Sequence, residues 1–213
     1  MSTWTCRVAA LGLAGLTLAG CDEATGLPFA GELGGSAAQS APRMAQVALG
    51  GGEIVLAAPE GFCFDRSSVR RTPKGGFAVM ARCDTLGVGG FYGVHPLAIV
   101  TVTTSPQDAG TPLPTPEDVA RSAGSARLLD SARGKGLSLA QLSDGAQRLE
   151  GVSARHWRGV FSVGRHLVAV SLYAPEGSRA LGRDGARLLT TLSARTQSAS
   201  AQVAAGKTQA VKQ

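Results

Sequence analysis

Residues 155–173, RHWRGVFSVGRHLVAVSLY, consist of two alternating runs that meet at Gly164-Arg165. A two-residue turn of type II′, which takes glycine at its first central position, closes such runs into a β-hairpin. The register follows from the turn: Phe161 lies opposite Val168, Gly159 opposite Val170 and Trp157 opposite Leu172. Strand alternation then gathers Trp157, Phe161, Val168, Val170 and Leu172 on one face and His156, Arg158, Ser171 and Tyr173 on the other. The first face has to be buried, so the hairpin requires more strands beside it and a layer over it.

Working outward, the run 54–58 is a short apolar strand stopped by the turn Pro59-Glu60-Gly61, and Phe62-Cys63-Phe64-Asp65 follows it. Along GFAVMARC, Phe77, Val79, Ala81 and Cys83 alternate, which predicts a strand with Cys83 facing inward. After the glycine-rich GVGGFYG, residues 97–104 form the next strand. Thr115-Pro116-Glu117-Asp118 starts a helix: threonine can cap, proline suits the first position and the acids suit the positive end of the dipole. That helix is expected to run on through Leu128 and Leu129, weakened at Gly124 and ended by Gly134 and Gly136. Strands over 137–142 and 147–150 flank the turn Ser143-Asp144-Gly145, and a last helix over 183–196 offers Leu188, Leu189 and Leu192 to the core. The fold class is therefore α+β, a mostly antiparallel sheet covered by helices in a single domain over 53–196. This order of elements is loosely similar to the PsbP-like fold of membrane-associated lumenal and periplasmic proteins. The stretches PEGFCFDRSSV and HWRGVF resemble those of small alphaproteobacterial envelope proteins of unknown function. Neither resemblance supplies catalytic residues.

The flanks read differently. Arg7 and the amino terminus precede an apolar run over 8–18, which is too short for the roughly 20 apolar residues of a spanning helix and suits an export signal. The run ends in Leu18-Ala19-Gly20-Cys21, which resembles the lipobox of bacterial lipoproteins. The resemblance implies a signal peptide over 1–20, a diacylglyceryl group on the Cys21 thiol and a mature chain that begins there. Two or three acyl chains anchor stably, at about 0.8 kcal/mol per buried methylene. Asp22 and Glu23 come next, and an aspartate there resembles the signal that keeps lipoproteins of enteric bacteria in the inner membrane. Residues 21–52 read as a lipid-anchored tether with an r.m.s. reach of about 30 Å, with the mildly apolar 44–49 able to dock on the domain. Residues 197–213 read as a disordered tail.

With Cys6 removed and Cys21 acylated, Cys63 and Cys83 remain, and an oxidising compartment predicts a disulfide between them. Free core thiols are the alternative; the spacing is not that of a C-x-x-C redox centre, and no histidine is near enough in sequence to complete a metal site.

The net charge of +6 is spread along the chain, without the dense Lys/Arg run and interleaved aromatics of a nucleic-acid groove. Its one cluster, Arg66, Arg70, Arg71 and Lys74, lies in the loop that the disulfide would enclose. It is either a solvated loop or a site for an anionic lipid headgroup, a peptidoglycan carboxylate or an acidic protein. The three histidines are His95, His156 and His166. His156 and His166 fall at opposite ends of the hairpin, about 20 Å apart at a rise near 3.3 Å per residue, too far for one metal. They read as surface or hydrogen-bonded structural residues. The sequence contains no nucleophile-elbow motif, and GVGGFYG lacks the ending of a phosphate loop. Ser67 and Ser68 beside Asp65 read as a turn. No cofactor, metal or nucleic acid is implied.

These features together imply a membrane-tethered, non-enzymatic binding or accessory module on the periplasmic side of a bacterial membrane. An envelope hydrolase assembled around His95 or His156, and a structural lipoprotein without a specific ligand, stand as alternatives.

Overall fold

A computed structural model of the chain describes residues 44–86, 98–124, 126–134, 136–143 and 151–210, with side chains to 206. The signal and lipobox residues Leu18, Ala19, Gly20 and Cys21 lie outside the described residues. So do Asp22, Glu23, the loop 87–93, His95 and the expected strand 147–150. In chain order the strands are β1 (Gln46–Leu49), β2 (Ile54–Ala57), β3 (Phe62–Phe64), β4 (Arg70–Thr72) and β5 (Gly75–Arg82). They continue with β6 (Ile99–Pro106), β7 (Arg127–Gly134), β8 (Leu137–Ser143), β9 (Arg155–Val163) and β10 (His166–Tyr173). The helices are α1 (Pro116–Ser122) and α2 (Arg183–Ala210).

The fold is α+β, built on an antiparallel sheet in the order β3-β5-β6-β10-β9-β8-β7, with β4 paired to β5 beside β3. β9 and β10 pair in the register that the hairpin sequence requires, Phe161 opposite Val168 and Trp157 opposite Leu172, around a turn in which Gly164 has φ 55°. Their shared face enters the main core, where Trp157, Phe161, Val168, Val170 and Leu172 meet Val100 and Val102 of β6 and Leu139 of β8. α2 contributes Leu189 and Leu192 to this core, each fully buried, while Leu188 is half-buried at its edge. Burial on that scale is worth about 1.5–3 kcal/mol per leucine. Gly185 lets the helix come this close, because a Cβ there would stand 1.9 Å from the Ala180 carbonyl oxygen and 3.1 Å from Trp157 Cδ1. On the opposite face a smaller cluster packs Val119 and Ala120 of α1 against Ala140, Leu142 and Val160.

A separate two-stranded ribbon, β1 with β2, adds Val47, Leu49, Ile54 and Leu56 to the main core. β2 has β1 on one side only. On the other, the Val55 amide donates to Ser200 Oγ at 2.9 Å and the Ala57 amide to Thr196 Oγ1 at 3.1 Å. Two residues of strand advance about 6.6 Å and four residues of helix about 6 Å, so one helix turn matches one strand repeat.

Four expectations are corrected here. The helix at Thr115 forms with a full capping box but ends at Ser122, and Leu128 and Leu129 stand on β7. Gly124, at φ 74°, takes the left-handed conformation that stops a helix rather than merely weakening one. On β5 the residues buried in the main core are Ala78 and Met80, while Phe77 and Val79 are half-buried on the other face. Both sets are apolar, so alternation alone does not choose between them. The stretch 46–52 placed in the tether is a strand and a turn, since Val47 and Leu49 have a core to enter. The stretch 197–210 placed in the tail continues α2, because Thr196 and Ser200 hold it to β2.

The disulfide forms between Cys63 and Cys83, with Cα atoms 4.9 Å apart, and joins edge strand β3 to the end of β5. Replacing both cysteines with serine should lower stability by about 3 kcal/mol on the loop-entropy argument. Denaturant unfolding of the oxidised protein against the double variant measures this. Thr196→Val keeps volume but leaves the Ala57 amide without its acceptor, and the same assay should register a loss of about 1–3 kcal/mol.

Candidate functional site

The geometry of α2 and β2 creates a cavity where the helix outruns the strand. Beyond Ser200 the next turn of α2 faces Gly52 and Glu53 instead of β2, and the β9–β10 turn closes the third side. The result is a cleft of about 570 Å³. Val163, Ala201, Val203 and Ala204 form an apolar wall, and Glu53, His166 and Gln197, with Arg165, Ser162 and Ser200, supply the polar groups. His166 Nε2 donates to the Glu53 carboxylate at 2.8 Å, which orients the ring. The ring lies against bare backbone: a Cβ on Gly50 would come within 3.1 Å of His166 Cε1, and Gly50 itself has φ 55°. Gln197 Nε2 donates to the Ser162 carbonyl at 3.2 Å and ties α2 to the end of β9. The cleft therefore offers hydrogen bonding at one end and apolar contact along a helix.

Among the described residues no hydroxyl bonds to a histidine ring. Ser200 Oγ donates to the Thr196 carbonyl while accepting from Val55, and Ser162 Oγ is directed to Gln107 Oε1 at 3.3 Å. His156 belongs to the opposite face, fully buried, with Nδ1 donating to the Ala154 carbonyl at 3.0 Å and its ring stacked on Tyr173 at 5.4 Å between centroids. Its Nε2 is buried without a partner, as is Nε of neighbouring Arg158. Burial, with Arg158 adding to it, pushes the His156 imidazole below its ordinary range. No three potential metal ligands gather among the described residues, and no helix there is long and apolar enough to cross a membrane.

The four basic residues do not form one patch. Arg66 opens a turn capped by Asp65, which accepts from the Ser67 amide at 2.9 Å, and Ser68 Oγ accepts from the Val79 amide at 2.8 Å, so both serines serve the turn. Arg70 folds back, donating through one Nη to the Ser67 and Val69 carbonyls. Arg71 is the next residue of β4 and points to the other face, its Nε donating to the Ala48 carbonyl at 3.1 Å. Lys74 sits exposed at the turn into β5.

Gln197 and Val203 escape sequence reasoning because they lie in the stretch that reads as tail, and Glu53, the first residue of the expected domain, carries no pattern that points to His166. One signal was present: Ser193, Thr196 and Ser200 recur at helical spacing and are all buried. Comparison with known proteins finds no matching family model, no matching curated protein and no matching solved structure.

A histidine whose folded-state pKa is depressed is charged more readily in the unfolded chain, so stability rises with pH across the interval between the two values. The contribution of His156 should be complete above its ordinary value of 6.5 and should fall as pH drops from there toward the lowered value. Unfolding measured at pH 7.5 and 5 should show a smaller difference in His156→Phe than in the wild type.

Proposed function

We propose that this protein is a lipid-anchored binding module of the bacterial cell envelope, whose ligand enters the cleft between α2 and the β9–β10 turn. In this reading the two helices cover the sheet, the lipobox leaves an acylated Cys21 at the membrane, and the segment before β1 tethers the domain on the periplasmic side. The single observation that carries the binding role is the cleft itself: a cavity of about 570 Å³ with an apolar wall and an oriented Glu53–His166 pair at one end. Such a combination of apolar lining and few placed polar groups suits recognition of a small molecule or a partner's side chain. The partner belongs to the envelope: a protein complex, an anionic lipid or peptidoglycan.

Two measurements test the two halves of this reading. Cys21→Ser should abolish acyl labelling and move the protein from the membrane to the soluble fraction; continued palmitate incorporation would refute the anchor. Ala201 is exposed and lines the cleft, so Ala201→Trp should obstruct it without entering the core. Affinity capture from detergent-solubilised native membranes should lose the ligand or partner in this variant, and equal recovery with the wild type would refute the cleft.

A further inference from the structure

We propose that a second, separate cavity, the notch between the Gly50–Gly52 turn and β4, binds a single oxyanion group, phosphate or carboxylate, with Arg71 as its cation. The notch has a volume of about 390 Å³ and is lined by residues 48–52, three of them glycine, together with Arg71, Thr72 and Pro73. No lining residue is acidic, and Arg71 is the one charge in it. The Nε bond to Ala48 carbonyl anchors the guanidinium to β1 at the rim of the turn, while its two Nη groups make no hydrogen bond among the described residues. That is the half of the guanidinium fork that engages an oxyanion with two parallel donors.

The glycine turn leaves main chain open to the notch. Gly51 and Gly52 have φ of 65° and 86°, and a Cβ on Gly52 would meet nothing within 4 Å, so a ligand can approach the main chain directly. Arg70 is excluded from this site by strand alternation and by its bonds to the Ser67 and Val69 carbonyls. The site differs from the cleft, although Gly52 borders both.

The test uses the full chain carrying Cys21→Ser, so that no acyl anchor contributes, labelled with ¹⁵N. Inorganic phosphate and acetate are titrated against the Gly51 and Gly52 amide signals, and flotation is measured with vesicles of phosphatidylglycerol in phosphatidylcholine and of phosphatidylcholine alone. Saturable shifts at Gly51 and Gly52 with phosphate or acetate identify a free anion as sufficient. Flotation with the anionic vesicles alone, without a response to the small anions, identifies a lipid headgroup as the source. In either case Arg71→Ala should weaken binding about tenfold, Arg71→Lys should weaken it less, and Arg70→Ala should leave it unchanged. A response to neither probe overturns the site. Equal weakening by Arg70→Ala and Arg71→Ala also overturns it, since that pattern denotes diffuse charge rather than a seat for one anion.

Discussion

The amides of Val55 and Ala57 point away from β1, and a buried amide without an acceptor costs more than most single contacts contribute. α2 answers both with hydroxyls placed one helical turn apart, Thr196 and Ser200. This pairing sets the axial position of the helix. With Thr196 at Ala57, Leu189 and Leu192 fall over the apolar face that Trp157 and Phe161 present, and Gly185 falls at the close approach to Ala180. The β1–β2 ribbon, the large sheet and the helix are thus held as one core by hydrogen bonds at one end of α2 and leucines at the other.

Both cavities follow from that arrangement. α2 continues past the end of β2, and the continuation faces the turn between β9 and β10 across open space. The ribbon ends in three consecutive glycines with positive φ, which fold the chain tightly between β1 and β2. One side of this turn supports His166 in the cleft, and the other lines the Arg71 notch. A side chain at Gly50 would press on the imidazole, so the sequence GGG reflects contact as well as conformation.

Charge is organised by alternation more than by clustering. Arg70 and Arg71 are adjacent in sequence yet belong to opposite faces of β4, and Arg71 lines the notch beside the glycine turn. His156 and His166 likewise fall on opposite faces of the hairpin, one stacked on Tyr173 within the fold and one held by Glu53 at a cleft. Both rings are buried, but their partners differ: His156 donates to the backbone carbonyl of Ala154, whereas His166 pairs with the Glu53 carboxylate, which is largely exposed at the cleft.

The sequence by itself determined the hairpin 155–173 down to its register, because a two-residue turn and period-two alternation leave one pairing that buries Trp157 and Phe161 together. It also placed the helix start at Thr115 and the turn at Asp65, which are local patterns, and the disulfide expected between Cys63 and Cys83 is present. Only the tertiary structure decided that Leu128 extends as β7, that Ala78 and Met80 face inward, and that 46–49 and 197–210 belong to the ordered fold. In each case the residues are weakly patterned or apolar on both faces, and contacts outside the segment select one state: β7 pairs with the neighbouring β8, while the ends of β1 and α2 are held by residues distant in sequence. The cleft and the notch are of the same kind: Glu53 meets His166, and Arg71 meets Ala48, only after β1, β2 and α2 have closed on one another.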